Sequence, residues 1–201
     1  MKKIFEEIWK LALPYQDKRD DTGHAEITTN YAIQLLKLEK ANEDVVVPAI
    51  ILHDTGWSQL SQKERMLIFD HQVTKKQKIA MRYKHQEAGV EIGKKILEKV
   101  HYPSDLIPKI LEIIFQHDTR DGFISSEEGL VRDADKLWRF SKTGFDADII
   151  CNRFDFWELY DKLKERRIEK EGFFYSKKAK KLAYKELEKR KKEYLKNNKQ
   201  Q

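Results

Sequence analysis

The residues of this chain that are best suited to chemistry are imidazoles and carboxylates that occur in a regular order. They are His24, the adjacent His53 and Asp54, His85, His117 and Asp135. The set offers nitrogen and oxygen ligands and no thiolate, which suits a divalent metal used for hydrolysis rather than a structural zinc site. The remaining histidines, His71 and His101, stand in a polar stretch and before Pro103, where surface positions are expected.

The segments that carry these side chains have apolar residues at helical spacing. Ile27 follows His24 by three residues. Ile113 and Ile114 precede His117 by four and three residues. A helix that buries such a face also buries its histidine. One histidine on an apolar face is usually an ordinary core residue, but several buried titratable groups are costly unless they pair or coordinate a metal. A shared metal centre would account for all of them.

These motifs resemble those of the HD superfamily of metal-dependent phosphohydrolases. The pair His53 and Asp54 stands in ILHDTGW, and Asp135 stands in RDADKLW, in the order typical of that superfamily. His85 in YKHQEAG and His117 in FQHDT match the branch that holds two metals. The stretch DDTGHAEITTNYAIQLL resembles the opening helix of small bacterial HD hydrolases, some of which cleave nucleotides.

The resemblance is strong over residues 18–140 and weak in the tail stretch EKEGFFYSKKAKKLAYKEL. It implies an all-helical fold and hydrolysis of a phosphate ester or anhydride in a small nucleotide. It also implies two divalent metal ions, which the sequence does not distinguish among Mn, Fe, Mg, Co and Zn. The implied ligands of the first ion are His24, His53, Asp54 and Asp135, and those of the second are Asp54 as a bridge, His85 and His117.

The last motif contains two aspartates, Asp133 and Asp135, and either of them could be the metal ligand. On a helix the two point about 200° apart, so only one can face a metal. Asp135 is preferred because Ala-Asp-Lys-Leu is similar to the Ala-Asp-Arg-Leu of the family. It also shares a helix face with Val131 and Trp138.

Two cations bridged by one carboxylate can lower the pKa of a shared water towards about 7 and present hydroxide to phosphorus. Asp118, directly after His117, is a candidate proton-transfer carboxylate. Candidate cations for binding the anionic phosphate substrate are Arg19, Arg120 and Lys136. For any one of them, a solvated surface charge is the commoner role.

Three other functions stay open. Residues 161–201 hold sixteen Lys and Arg against seven acids, a net charge of +9, which leaves −3 on residues 1–160. This basic tail could dock nucleic acid for an HD nuclease or phosphodiesterase. A non-catalytic metal-containing regulator is a second possibility. Di-iron oxygenases of the superfamily typically carry a lysine three residues after the Asp of the pair, where this chain has Trp57, so an oxygenase is disfavoured.

The length of 201 residues fits a single HD-type domain, with its core at about 18–140 and a basic helical extension at about 145–201. A single cysteine, Cys151, excludes a disulfide within the chain and suits a reducing cytosol. The amino-terminal stretch lacks the apolar run of a signal peptide, and no stretch is long and apolar enough for a membrane span. We therefore expect a cytoplasmic protein.

The helical period predicts an all-α chain. Expected start residues are Asp44, Ser104 and Ser176. Residues 58–81 are polar and weakly periodic, which predicts a loop or short-helix insertion beside the metal site. The predicted helices lie near 2–12, 23–40, 45–54, 82–100, 105–117, 127–140, 145–170 and 177–197.

Overall fold

Helices make up most of the protein in the computed structural model, which describes residues 1–19, 21–70 and 72–198. Within those ranges there is no β-strand, which confirms the predicted all-α class. His71 lies outside the described residues, and the interpretation of it as a surface residue stays a prediction. The α-helices are α1 (Lys3–Ala12), α2 (His24–Leu36), α3 (Glu43–Leu52), α4 (Gln62–Met66), α5 (Lys75–Lys99), α6 (Ile107–Gln116), α7 (Ser126–Leu137), α8 (Lys142–Asn152), α9 (Phe156–Leu163) and α10 (Lys177–Asn198).

The central helix of the fold is α3, against which α1, α2, α5, α6 and α7 all pack. Every residue from Val45 to Leu52 is buried, as expected of a helix that is apolar on all sides. Pro48 cannot donate to the carbonyl of Asp44, and the hydroxyl of Tyr102 donates to that oxygen instead at 2.7 Å. The helix ends directly before the His53 and Asp54 pair, so its packing fixes the position of that pair.

Two of the three predicted start residues are wrong. The side chain that begins α3 is Asn42, which accepts the amide N–H of Asp44 at 2.9 Å. Ser104 begins no helix, because α6 starts at Ile107 with no side-chain cap. Ser176 does begin α10, where its hydroxyl accepts from the first backbone amides of the helix.

The polar stretch 58–81 contains more helix than expected. Its first part is the 3₁₀ turn Thr55–Gln59 and the short helix α4. A capping box between Thr74 and Gln77 then begins α5 seven residues before the predicted start. The early start places Arg82 inside a long continuous helix.

The predicted continuous helix 145–170 is wrong. Arg153 takes a left-handed conformation with φ of 56° and ends α8. The carboxylate of Asp155 then caps α9 in a capping box with Glu158. Directly after α9 the chain forms the π-helical turn Lys164–Ile168, which precedes the loop leading to α10. Apart from the early start of α5, the other predicted helices begin and end within four residues of the observed ones.

One cluster of buried apolar side chains runs from Phe5 in α1 to Leu187 in α10. The cluster thus includes residues of both the predicted core, 18–140, and the predicted extension, 145–201. That division of a single domain stays a prediction. Among the described helices, none combines the length and apolarity that a bilayer crossing requires.

Candidate metal centre

Two histidines directly follow the helices α3 and α6 in the same local geometry. The Nδ1–H of His53 donates to the carbonyl of Ile50 at 2.7 Å, three residues earlier at the end of α3. The Nδ1–H of His117 donates to the carbonyl of Ile114 at 2.7 Å at the end of α6. Because the proton sits on Nδ1, the Nε2 lone pair of each ring is left for a cation.

The first group of ligand atoms lies where α2, α3 and α7 meet. The Nε2 atoms of His24 and His53 are 3.2 Å apart. The Asp135 Oδ1 lies 3.3 Å and 3.5 Å from these two nitrogens, and the Asp54 Oδ2 lies 3.4 Å and 3.6 Å from them. Ligands bound about 2.1 Å from one ion lie roughly 3–4 Å from one another, so the group fits a divalent cation.

The second group uses the other oxygen of the same carboxylate. The Nε2 atoms of His85 and His117 are 3.3 Å apart, and the Asp54 Oδ1 lies 3.6 Å and 3.3 Å from them. In each of the two groups, all ligand atoms lie within 4.8 Å of one another. The Asp118 Oδ2 adds a carboxylate at 3.8 Å from His85 and 4.0 Å from His117. Asp54 therefore lies between the two groups of candidate metal ligands, with one carboxylate oxygen facing each.

Asp54 and Asp135 are held ionised, which suits cation binding, whereas His53 has to lose a proton before its Nε2 can bind an ion. Burial raises the pKa of Asp54, but Arg19 and the neighbouring histidines lower it more, so the pKa lies well below its ordinary value. The pKa of Asp135 is likewise held well below its ordinary value, because hydrogen bonds from histidines outweigh burial. Burial lowers the pKa of His53, but these two carboxylates raise it to about 9. Burial also lowers the pKa of His85 to about 3, which keeps this ring neutral. Facing Nε2 lone pairs repel unless a proton or a cation lies between them.

Trp57 holds the bridging carboxylate and one of the imidazoles. Its indole Nε1–H donates to the Asp54 Oδ1 at 3.1 Å. Its ring stacks on His85 with centroids 3.9 Å apart and planes 13° apart. The guanidinium of Arg19 lies over the same indole, 4.6 Å from the ring centroid. It forms ion pairs with Asp54 and with Asp21. The spacing of three residues between Asp54 and Trp57 is visible in the sequence, but the contact depends on the 3₁₀ turn.

The structure brings Asp135, and not Asp133, to the cation sites. Asp133 is fully buried on the opposite side of α7, where it accepts the amide N–H groups of Tyr175 and Ser176 at 2.9 Å and 2.7 Å. Burial raises the pKa of Asp133 to about 6 in spite of these bonds. Asp133 thus holds the start of α10 rather than a metal.

A cleft of about 240 Å³ opens beside both groups. Of the candidate substrate-binding and proton-transfer residues, Arg19, Lys136 and Asp118 line it. Arg120 does not, and its side chain pairs with Glu112 at 2.8 Å and with Glu128 at 3.0 Å. The substrate contact predicted for Arg120 stays a prediction that its position does not favour. The cleft is lined instead by four arginines that the sequence did not single out, namely Arg82, Arg132, Arg139 and Arg167.

Comparisons of the chain with protein-family models, with curated proteins and with solved structures found no match.

Proposed function

We propose that this chain is an HD-type, metal-dependent phosphohydrolase that cleaves a phosphate ester or anhydride in a small nucleotide. The observation that carries the proposal is the position of Asp54 between two pairs of histidines, with one carboxylate oxygen facing each pair. Among the described residues, no other carboxylate is as close to the second group, and in the first group Asp135 completes the set. This donor set is of the nitrogen and oxygen type used by hydrolytic divalent metals.

Divalent cations in these two groups would activate water and neutralise charge on the phosphoryl oxygens. The residues of the chain would orient that chemistry. Arg19 and Trp57 hold the Asp54 carboxylate from two sides, so both of its oxygens keep their directions. Asp118 lies beside the second group and lines the cleft, where it can accept or return a proton.

The lining of the cleft supports a small anionic substrate. Lys136 and the lining arginines offer donors to phosphate oxygens. The rings of Phe69 and Phe173 add apolar surface to the same cleft, against which a base can pack. The volume of about 240 Å³ lies just below the range of small-molecule sites, which starts at roughly 300 Å³.

Metal analysis followed by a hydrolysis panel tests the proposal. The protein is stripped with chelator, reloaded with Mn²⁺, Mg²⁺, Co²⁺ or Fe²⁺, and assayed on nucleoside mono-, di- and triphosphates. We expect up to two ions per chain, falling towards one in His85→Ala. Solution titration with Mn²⁺ measures this number, and a wild-type value that never exceeds one would restrict the proposal to a single-metal hydrolase.

The decisive variant is Asp54→Ala, which should lower turnover at least a hundredfold because it removes the side chain common to both groups. Asp146→Ala is the matched control, since Asp146 pairs with Lys142 on the exposed surface of α8. Hydrolysis that persists in Asp54→Ala, or after exhaustive chelation, would contradict the proposal. A strict requirement for O₂ would favour the di-iron oxygenase instead.

A further inference from the structure

Three arginines from three separate elements line one cleft. Arg82 comes from α5, Arg139 from the 3₁₀ turn Trp138–Phe140, and Arg167 from the π-helical turn after α9. We call these three residues the arginine cluster. None of them belongs to either group of candidate metal ligands. Hydrolysis of a single phosphate at those groups gives these three arginines only the general role of attracting an anion to the cleft.

The members of the cluster are close enough to repel one another. Burial lowers the pKa of Arg167, and the positive charges of Arg139 and Arg82 lower it further. Like charges that are brought together at a partly buried position cost free energy unless an anion lies between them. The packing of the chain therefore gathers three positive charges at one cleft.

Carboxylates of the chain neutralise the cluster only in part. One nitrogen of Arg139 lies 2.7 Å and 2.8 Å from the two oxygens of Asp148. Arg82 donates to the backbone carbonyl of Asp118 at 3.2 Å, while the carboxylate of that residue is 4.0 Å away. Arg167 makes no hydrogen bond or ion pair within the described residues, and its guanidinium lies 5.3 Å from the centroid of the Phe173 ring. Its donors are therefore open to a ligand.

The backbone that carries Arg167 is fixed. Leu163 before the π-helical turn and Ile168 at its end are both buried in the core, so the turn is anchored on both sides. π-Helical turns are rare and occur frequently at functional sites, because the extra residue redirects the side chains of the turn. The neighbouring Arg166 is exposed and does not line the cleft. The turn thus directs one of two adjacent arginines into the site.

We propose that the arginine cluster is a second anion subsite, and that the ligand of the cleft carries a chain of two or more phosphate groups. The inference rests on the proposed function for the position of the first phosphate, which lies at the metal ligands. The next phosphate along the chain then meets Arg82, Arg139 and Arg167. The ligand class is a nucleoside di- or triphosphate, or an inorganic polyphosphate, rather than a monophosphate.

Equilibrium binding to the full chain tests this subsite without any need for turnover. Isothermal titration calorimetry is run on the metal-free protein and on the Mn²⁺-loaded protein. The probes are a nucleoside 5′-monophosphate, its β,γ-methylene triphosphate analogue and inorganic tripolyphosphate. We expect the wild-type protein to bind the triphosphate analogue at least tenfold more tightly than the monophosphate. If tripolyphosphate binds as tightly as the triphosphate analogue, the ligand is an inorganic polyphosphate. If tripolyphosphate binds more weakly than the analogue, the ligand is a nucleotide. Both results support the subsite.

The matched variants are Arg167→Gln and Arg166→Gln, which remove the same charge from adjacent positions of one turn. Arg167→Gln should weaken binding of the triphosphate analogue at least tenfold and binding of the monophosphate less than threefold, whereas Arg166→Gln should resemble the wild type. A wild-type protein without the triphosphate preference, or an Arg167→Gln protein that retains it, would overturn the proposal. If circular dichroism shows that Arg167→Gln does not fold, Arg82→Gln on α5 provides the same comparison with the same two outcomes.

Failure of this subsite and failure of the hydrolase can be told apart. Binding of the triphosphate analogue that depends on Arg167, together with no hydrolysis of any nucleotide, supports the subsite and contradicts the proposed hydrolase. Hydrolysis together with binding that does not depend on Arg167 contradicts the subsite and leaves the hydrolase standing.

Discussion

At the scale of single residues, the site depends on the direction of the Asp54 carboxylate. Its two oxygens face different histidine pairs, so a rotation of the side chain would spoil both groups at once. Two contacts oppose such a rotation: the indole N–H of Trp57 donates to one oxygen, and Arg19 pairs with the other. The backbone of Asp54 is held in place by the buried helix α3, which ends just before His53. Groups that hold a metal ligand in this way affect metal affinity almost as strongly as the ligand itself.

We therefore expect Trp57→Phe to weaken metal binding by about tenfold to a hundredfold, the usual effect of losing a hydrogen bond to a metal ligand. The phenyl ring can still stack on His85, so the change removes the indole N–H while it keeps most of the packing. Competition for Mn²⁺ with a fluorescent chelator measures the affinity. Trp157→Phe is the control, because Trp157 is 39% exposed in α9 and lines neither group. Equal affinities for the two variants would show that the indole does not position Asp54.

The candidate metal ligands could be predicted from the sequence, but most of the arginines that line the cleft could not. Histidine next to aspartate on apolar helices is a local pattern, and the structure brings all six predicted ligands together. Arg139 and Arg167 lack such a pattern. In the sequence they are two of forty Lys and Arg residues. Only the folded positions of the 3₁₀ turn after α7 and of the π-helical turn after α9 bring them to the cleft. Arg120 illustrates the reverse case, since its position beside His117 in the chain does not bring it into the cleft.

At the scale of the helices, α7 joins the site to the carboxyl-terminal part of the chain. Asp135 on one side of α7 lies against His24 and His53, while Asp133 on the other side holds the backbone that begins α10. The α-helical turn of about 100° per residue places the two carboxylates on opposite sides. One side of α7 thus carries a candidate metal ligand, and the other side carries a residue that holds the start of α10. The spacing in the sequence shows that Asp133 and Asp135 point in different directions, but not what each of them contacts.

Substitutions at these two positions should therefore have separate effects. Asp133→Ala should lower the free energy of unfolding by about 1–3 kcal/mol, because two buried backbone N–H groups lose their acceptor. Its metal content should stay near that of the wild type. Asp135→Ala should instead lose metal from the first group, because it removes a ligand atom close to both His24 and His53. Urea denaturation of metal-free protein and metal analysis measure the two effects. Loss of metal in Asp133→Ala with unchanged stability would contradict the observed orientation of α7.

Helix ends were harder to predict than helices. The break between α8 and α9 at Arg153 has no glycine or proline in the sequence to mark it. The early start of α5 at Lys75 depends on the Thr74 and Gln77 capping box, whose polar residues also fit a loop. In both places a local choice between helix and turn is settled by packing against distant parts of the chain.

At the scale of the whole molecule, the positive charge is divided between the cleft and the surface. The net charge of +9 on residues 161–201 includes Arg167, which faces the cleft, but most of it lies on α10. That helix buries a narrow face of Ala179, Ala183 and Leu187, and its lysines form the opposite, exposed face. The lysines do not line the cleft, so an electrostatic role in binding a small nucleotide falls to the arginine cluster instead.

Substitutions on the exposed face of α10 would distinguish a small-nucleotide hydrolase from a nuclease. The triple variant Lys178→Gln, Lys181→Gln and Lys185→Gln removes three exposed positive charges without touching the buried face of the helix. We expect kcat/KM for the best nucleotide substrate to change less than twofold, because these side chains lie outside the cleft. Arg167→Gln, which removes a single charge, should lower kcat/KM for a triphosphate substrate far more.

A protein that docks nucleic acid through α10 would behave differently. Its binding to single-stranded RNA or DNA would fall with salt, and the slope of log K against log salt would become shallower by about two in the triple variant, since each phosphate contact contributes roughly 0.7. That result, together with faster cleavage of single strands than of nucleotides, would favour the nuclease.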